Sequence, residues 1–156
     1  MKSIRLWVWM IVLLSASATL LAQNDLRKKH YNLGSQTLAI QGYDPVAYFT
    51  EKKAVKGRKD FALSHEGVLY YFASAANKDT FRSNPKAYEP QYGGWCAYAM
   101  GATGEKVEID PETFTILQGK LYLFYHSWSN NTLTKWKKDE ANLQKKADQN
   151  WRELYR

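Results

Sequence analysis

The chain reads as a small single domain of the α+β class, with two β-hairpins, short helices and a long amphipathic C-terminal helix. Three observations predict this. Two pairs of β-rich runs each flank a glycine-bearing loop, at Phe61–Phe72 and at Phe114–Tyr125. Helix-start signals, Ser74 and the pair Asn84-Pro85, follow the first hairpin. Leu133, Trp136, Leu143, Ala147, Trp151 and Leu154 share one arc at about 100° per residue, so residues 132–155 read as one helix.

The elements follow in order. Residues 1–22 have the build of a secretory signal peptide: Lys2 and Arg5, an apolar run from Leu6 to Leu14, then small residues, with cleavage suited to Ala22 or Ala18. Residues 23–36 are polar and basic and read as a flexible lead-in to a domain over residues 37–156. Residues 37–40 suit a short strand, and Gly42-Tyr43-Asp44-Pro45 a turn. Residues 51–59, rich in lysine and arginine, suit a surface loop. The first hairpin turns at His65-Glu66-Gly67. Ser74 caps a helix over residues 75–82, and Asn84-Pro85 opens another helical turn that stops at Pro90. Gly93-Gly94 precedes a short helix ended by Gly101. Asp110-Pro111 is a turn, and the second hairpin bends at Gln118-Gly119-Lys120. No internal repeat and no low-complexity segment stands out.

Composition narrows the chemistry. The chain of 156 residues is long enough to bury a core and too short for two full domains with a linker. A single cysteine, Cys96, excludes an intramolecular disulfide, a zinc ribbon and CxxC redox chemistry. The formal charge of +7 falls by two, to +5, when the signal peptide carries off Lys2 and Arg5. Aromatic runs at Tyr70-Tyr71-Phe72 and Tyr122–Tyr125 resemble a stacking platform, but export argues against a nucleic-acid partner. No P-loop, dinucleotide fingerprint or nucleophile elbow occurs.

Three segments together resemble the exported branch of the YHS-domain family. They are Gly42-Tyr43-Asp44-Pro45-Val46-Ala47-Tyr48-Phe49; Tyr71-Phe72-Ala73-Ser74 with Asn77, Phe81, Asn84-Pro85 and Tyr88; and Pro90-Gln91-Tyr92-Gly93-Gly94-Trp95-Cys96-Ala97. Asp110-Pro111, Gly119-Lys120-Leu121-Tyr122-Leu123, Trp136, Lys146-Ala147-Asp148 and Asn150-Trp151 extend the likeness over residues 38–152. The resemblance implies a small α+β module, with a suspected metal-binding role in many members. Metal-linked members carry two cysteines in the segment matching Tyr71–Asn77. Here those positions are Ala73 and Asn77, so a metal site of that form is absent. Phe114 and Phe124 also depart from the common Trp and Asn.

The expectation is therefore an exported, monomeric, non-catalytic module that binds a metal ion or a small ligand. It would be periplasmic or secreted and would meet the membrane only through its signal peptide. Candidate metal ligands are Cys96, Met100 one helical turn on, and His126, a soft set suited to copper or another transition metal. Candidate ligand-binding residues are Tyr43 and Asp44 in the first segment and Tyr92, Gly93, Gly94 and Trp95 in the third. Cys96 and Met100 are also ordinary core residues, Asp44 before Pro45 is an ordinary turn former, and His65 and His126 suit solvated loops. Two alternatives stay open: a thiol-dependent enzyme using Cys96, and a structural, partner-binding domain.

Overall fold

The structure, a computed structural model, describes residues 24–155. The expected signal peptide lies outside them. Residues 24–30 form a helix, α1. Then come α2 (Ala47–Thr50), the hairpin β1 (Arg58–His65) and β2 (Val68–Phe72), α3 (Ala75–Ser83), α4 (Pro85–Tyr88) and α5 (Ala97–Ala102). A second hairpin, β3 (Asp110–Leu117) and β4 (Lys120–Phe124), a minimal hairpin of β5 (His126–Ser127) and β6 (Asn130–Asn131), α6 (Thr132–Trp136) and α7 (Glu140–Leu154) complete the chain. The class is α+β, as the sequence predicts. Each strand pair is a separate antiparallel sheet. No helix among the described residues is long and apolar enough to cross a membrane.

Local chemistry accounts for the elements. Both main hairpins close on two residues at positive φ, Glu66-Gly67 and Gln118-Gly119, which a twisted two-residue hairpin turn favours. The Ser74 hydroxyl accepts the Asn77 N–H at 3.1 Å and caps α3. Pro85 opens α4, where its missing N–H costs nothing. Gly101 lets α5 press onto α7, since a Cβ there would stand 2.4 Å from the Leu143 carbonyl oxygen.

β4 is buried on both faces. Leu121 and Leu123 join a core with Val68, Tyr70, Phe72 and Phe81, while Tyr122 and Phe124 join a second with Met100, Trp136, Leu143 and Ala147. The second hairpin thus sits between the first hairpin and the C-terminal helices.

Four expectations need correction. The lead-in is not loose throughout: residues 24–30 are helical, and Arg27 and His30 are buried. Residues 37–40 form no strand. They run through left-handed turns and touch their neighbours only at single bridges, Leu33 with Ala39 and Leu38 with Leu69. The helix expected over residues 132–155 is two helices. Asp139 leaves helical geometry at φ −149°, and its carbonyl receives the Leu143 N–H at 3.0 Å to restart the ladder. The break follows Lys137-Lys138, and Asp139 is a residue type that favours helix starts.

The fourth correction is an internal repeat. Adding 52 to each residue of the first hairpin's register gives the second: Arg58–Phe72 becomes Asp110–Phe124, Ala62–Tyr71 becomes Phe114–Leu123, and His65–Val68 becomes Leu117–Lys120, with the same bulge between the first two pairs. The relation extends beyond the strands. The parallel bridge Leu38–Leu69 recurs as Pro90–Leu121. The bond from Asp44 N–H to Val55 C=O recurs as Cys96 N–H to Val107 C=O. Left-handed Ile40-Gln41-Gly42 recurs as Tyr92-Gly93-Gly94.

Candidate functional site

The repeat puts Cys96 where the first unit has Asp44. Asp44 is wholly buried, and its carboxylate accepts four hydrogens: from Val46 N–H (2.8 Å), Ala47 N–H (3.3 Å), Ala73 N–H (2.8 Å) and the Asn77 side-chain amide (2.7 Å). Every lone pair faces a donor inside the fold, which leaves none for a ligand. Cys96 is equally buried. Its Sγ accepts the Tyr125 N–H at 3.3 Å and lies 3.4 Å from the Thr132 hydroxyl, which itself donates to the Tyr125 carbonyl at 2.7 Å. Tyr125 is Ala73 plus 52.

The other candidate metal ligands do not gather round Cys96. Its side chain belongs to the first core and that of Met100 to the second. His126 is half exposed and pairs through Nδ1 with Asp110 at 3.4 Å. Burial pushes the Asp110 carboxyl up. Bonds from the Thr113 hydroxyl, the Glu112 N–H and His126 outweigh that and hold it below the usual range. Among the described residues, no group of three or more His, Cys, Asp or Glu is placed to hold a metal ion. Tyr43 lies apart, under the Lys56 ammonium at 4.0 Å, its hydroxyl donating to Glu112.

Tyr92 and Gly93 do line an open hollow. It has a volume of about 400 Å³ and draws Tyr31 from the chain after α1, Lys86 and Glu89 from α4 and the residue after it, Lys120 from β4, and Asp148, Trp151 and Arg152 from α7. The sequence builds it on the left-handed turn that both repeat units hold. At φ 54°, Tyr92 holds a backbone conformation that a side chain rarely adopts. Its buried ring and its hydroxyl, donating to Asp148 at 2.9 Å, fasten it there. Burial first, then Asp148, push that phenol well above its usual range, so it remains protonated. Asn32 grips the same turn, donating its N–H to the Gly93 carbonyl at 2.9 Å and its amide to the Gly94 carbonyl at 3.2 Å. Trp95 donates its indole N–H to the His30 carbonyl at 2.7 Å and anchors the turn from behind.

The repeat shows why this hollow is open. In the first unit the position of Gly93 is Gln41, whose side chain spans to the Ile109 carbonyl at 3.0 Å and leaves a hollow of only about 80 Å³. At Gly93 there is no side chain. A Cβ would stand 2.8 Å from the Tyr31 ring and 2.9 Å from Trp151, so the glycine lets both rings close in. No histidine, cysteine or serine lines the groove. The set offers cations and aromatic rings to a ligand.

A YHS domain is found at residues 46–92. It spans α2 to α4 and ends at Tyr92, on the rim of the groove. The YHS match takes in the first hairpin, and the second hairpin repeats that hairpin's pairing beyond its end. No curated protein and no solved structure matches the chain.

Tyr92 and Gly93, named from the sequence as candidate ligand-binding residues, both line the groove. Lys86, Lys120 and Arg152 carry no such signal, because they arrive from three distant segments. Asp148 and Trp151 carried a signal, since both lie in the stretches quoted for the YHS resemblance, but the helical arc reads Trp151 as core.

Proposed function

We propose that this chain is an exported, monomeric, non-catalytic binding module that takes a small ligand in the groove beside Tyr92 and Gly93. The observation that carries the reading is the departure between the two repeat units: both hold the left-handed turn, but the unit with Gly93 has a hollow of about 400 Å³ and the unit with Gln41 one of about 80 Å³. A concave site with an aromatic wall and a few polar groups is the usual form of a ligand pocket. Export rests on the build of residues 1–22. A metal ion at Cys96 has less support, because the thiol is enclosed and already bonded.

The test expresses the full chain with its first 22 residues in a bacterial host and recovers it from the periplasm. Thermal-shift assays then run it against small anions, cations, neutral solutes and the ions of copper, zinc and iron. The expected result is a processed chain, stabilised by a small solute. Substitution of Trp151→Leu should abolish that stabilisation and Cys96→Ser should not. Stabilisation by a metal ion that Cys96→Ser removes, or by no solute at all, overturns the reading.

A further inference from the structure

We propose that the groove selects an organic anion built on a flat, apolar ring. This rests on the reading of the groove as a binding site. Lys86, Lys120 and Arg152 converge on it from α4, β4 and α7. Among the described residues, none of the three takes part in an ion pair.

The carboxylates of the groove are committed elsewhere. Glu89, with its side chain 11% exposed, is held by the Arg27 guanidinium and by the Tyr70 hydroxyl at 2.7 Å. Asp148 takes the Tyr92 O–H. Arg27 offsets the Glu89 charge, so the lining sets three cations against the Asp148 carboxylate and carries an excess of positive charge. An excess of one sign in a concave surface draws in a ligand of the opposite sign, and the planar guanidinium of Arg152 matches carboxylate, sulfonate or phosphate oxygens.

The rest of the wall is aromatic. The Tyr31 and Trp151 rings stand 6.1 Å apart, centre to centre, against the bare face of Gly93. Such rings favour another ring in stacked or edge contact. An inorganic anion would leave that wall unused, a neutral ring would leave three cations without a partner, and a cation would be repelled. A second hollow of about 390 Å³ shares Lys120, Asp148 and Arg152 and adds Lys145, so the positive field continues along α7.

The test titrates the full chain with two probes that share one ring system. These are 8-anilino-1-naphthalenesulfonate and the uncharged N-phenyl-1-naphthylamine, followed by fluorescence transferred from tryptophan. The sulfonate should bind one per chain, at least about tenfold tighter than the neutral amine at low salt, and should weaken as salt rises. K120E/R152E should erase the preference, with the circular dichroism spectrum unchanged as the check on folding. K86Q, a milder change, should weaken the sulfonate by about two- to fivefold.

Equal or tighter binding of the neutral amine, lost in W151L, overturns anion selection while the binding-site reading stands. Sulfonate affinity unchanged in both K120E/R152E and W151L overturns both. Heparin displacing the sulfonate while binding several protein copies per chain would make the patch a polyanion surface, and this too overturns the proposal.

Discussion

Cys96 holds in the second repeat unit the place that Asp44 holds in the first. Each lies just after a left-handed turn, and each side chain accepts the N–H of the first residue beyond its hairpin, Tyr125 for Cys96 and Ala73 for Asp44. One further side chain completes each closure, Thr132 in the second unit and Asn77 in the first. The thiol that sequence reasoning singles out is thus a fastening, built on the same plan as a buried carboxylate. Ala73 and Asn77, where the YHS resemblance implies cysteines in metal-linked members, both donate to Asp44. Here the two close a hydrogen-bonded staple on a buried carboxylate.

That staple predicts a large cost for Asp44→Ala. The change leaves three backbone N–H groups and the Asn77 amide facing a void. Losing a charged acceptor of buried hydrogen bonds costs about 3–5 kcal/mol. Asn77→Ala removes one donor and should cost about 1–2 kcal/mol. Urea denaturation measures both. A loss below about 1 kcal/mol for Asp44→Ala would show that the carboxylate does not hold the first unit together.

Cys96 should be inert to thiol reagents in the native state and should react only as the chain unfolds, because no part of it reaches solvent. Cys96→Ala leaves the Tyr125 N–H without an acceptor and should cost about 1–3 kcal/mol. Cys96→Ser keeps an acceptor for that N–H and should cost less. Native labelling at the rate of an exposed thiol would restore the reading of Cys96 as a reactive nucleophile.

Why the repeat escaped sequence reasoning has a physical answer. Between the two units only positions that the fold dictates agree, among them Gly42 and Gly94, Val55 and Val107, Gly67 and Gly119, Leu69 and Leu121, Tyr70 and Tyr122, and Phe72 and Phe124. They are turn glycines, residues of the second strand of each hairpin and the paired valines before each hairpin, too sparse to be seen without knowing the register. The hairpins and α3 were legible because their signals are local: strand runs, turn residues and the Ser74 cap. The break at Asp139 was not, because the apolar arc continues through it and masks the helix-start residue. The groove was half legible. Its unusual turn lies in one motif, but its cations are brought together only by folding.

The helix of residues 24–30 should prove part of the domain rather than a tail. Arg27 is buried between Glu89 and Glu66, the latter at 3.1 Å, and its guanidinium lies 4.6 Å from the Tyr31 ring centre. Burial works against its charge, and Glu89 more than restores it. Arg27→Ala strands the Glu89 carboxylate and should cost about 3–5 kcal/mol, whereas R27M/E89M together should recover most of that loss. A double-mutant cycle in urea decides. Equal losses for the single and the double variant would show that the pair does not fasten the helix.

His30 gives the same junction a pH dependence. The Lys106 ammonium donates to its Nδ1 at 3.3 Å, which requires a neutral imidazole, and the ring meets Tyr155 edge-on. Burial first, then the charges of Lys106 and Lys29, hold its pKa below the ordinary 6.5. The sign follows from which state binds the proton first. As pH falls through about 6.5 the unfolded chain takes up a proton on this histidine while the folded chain does not. Its contribution is therefore complete above about 6.5 and shrinks as pH drops towards the native pKa. Unfolding free energy should decline as pH falls below about 6.5, and His30→Gln should flatten that slope. Lys106→Met should also flatten it, by letting the native pKa rise towards the unfolded one. The His30 ring resonances, followed by NMR, read the native pKa directly. Titration at or above 6.5 would mean that burial and Lys106 do not disfavour the charged ring.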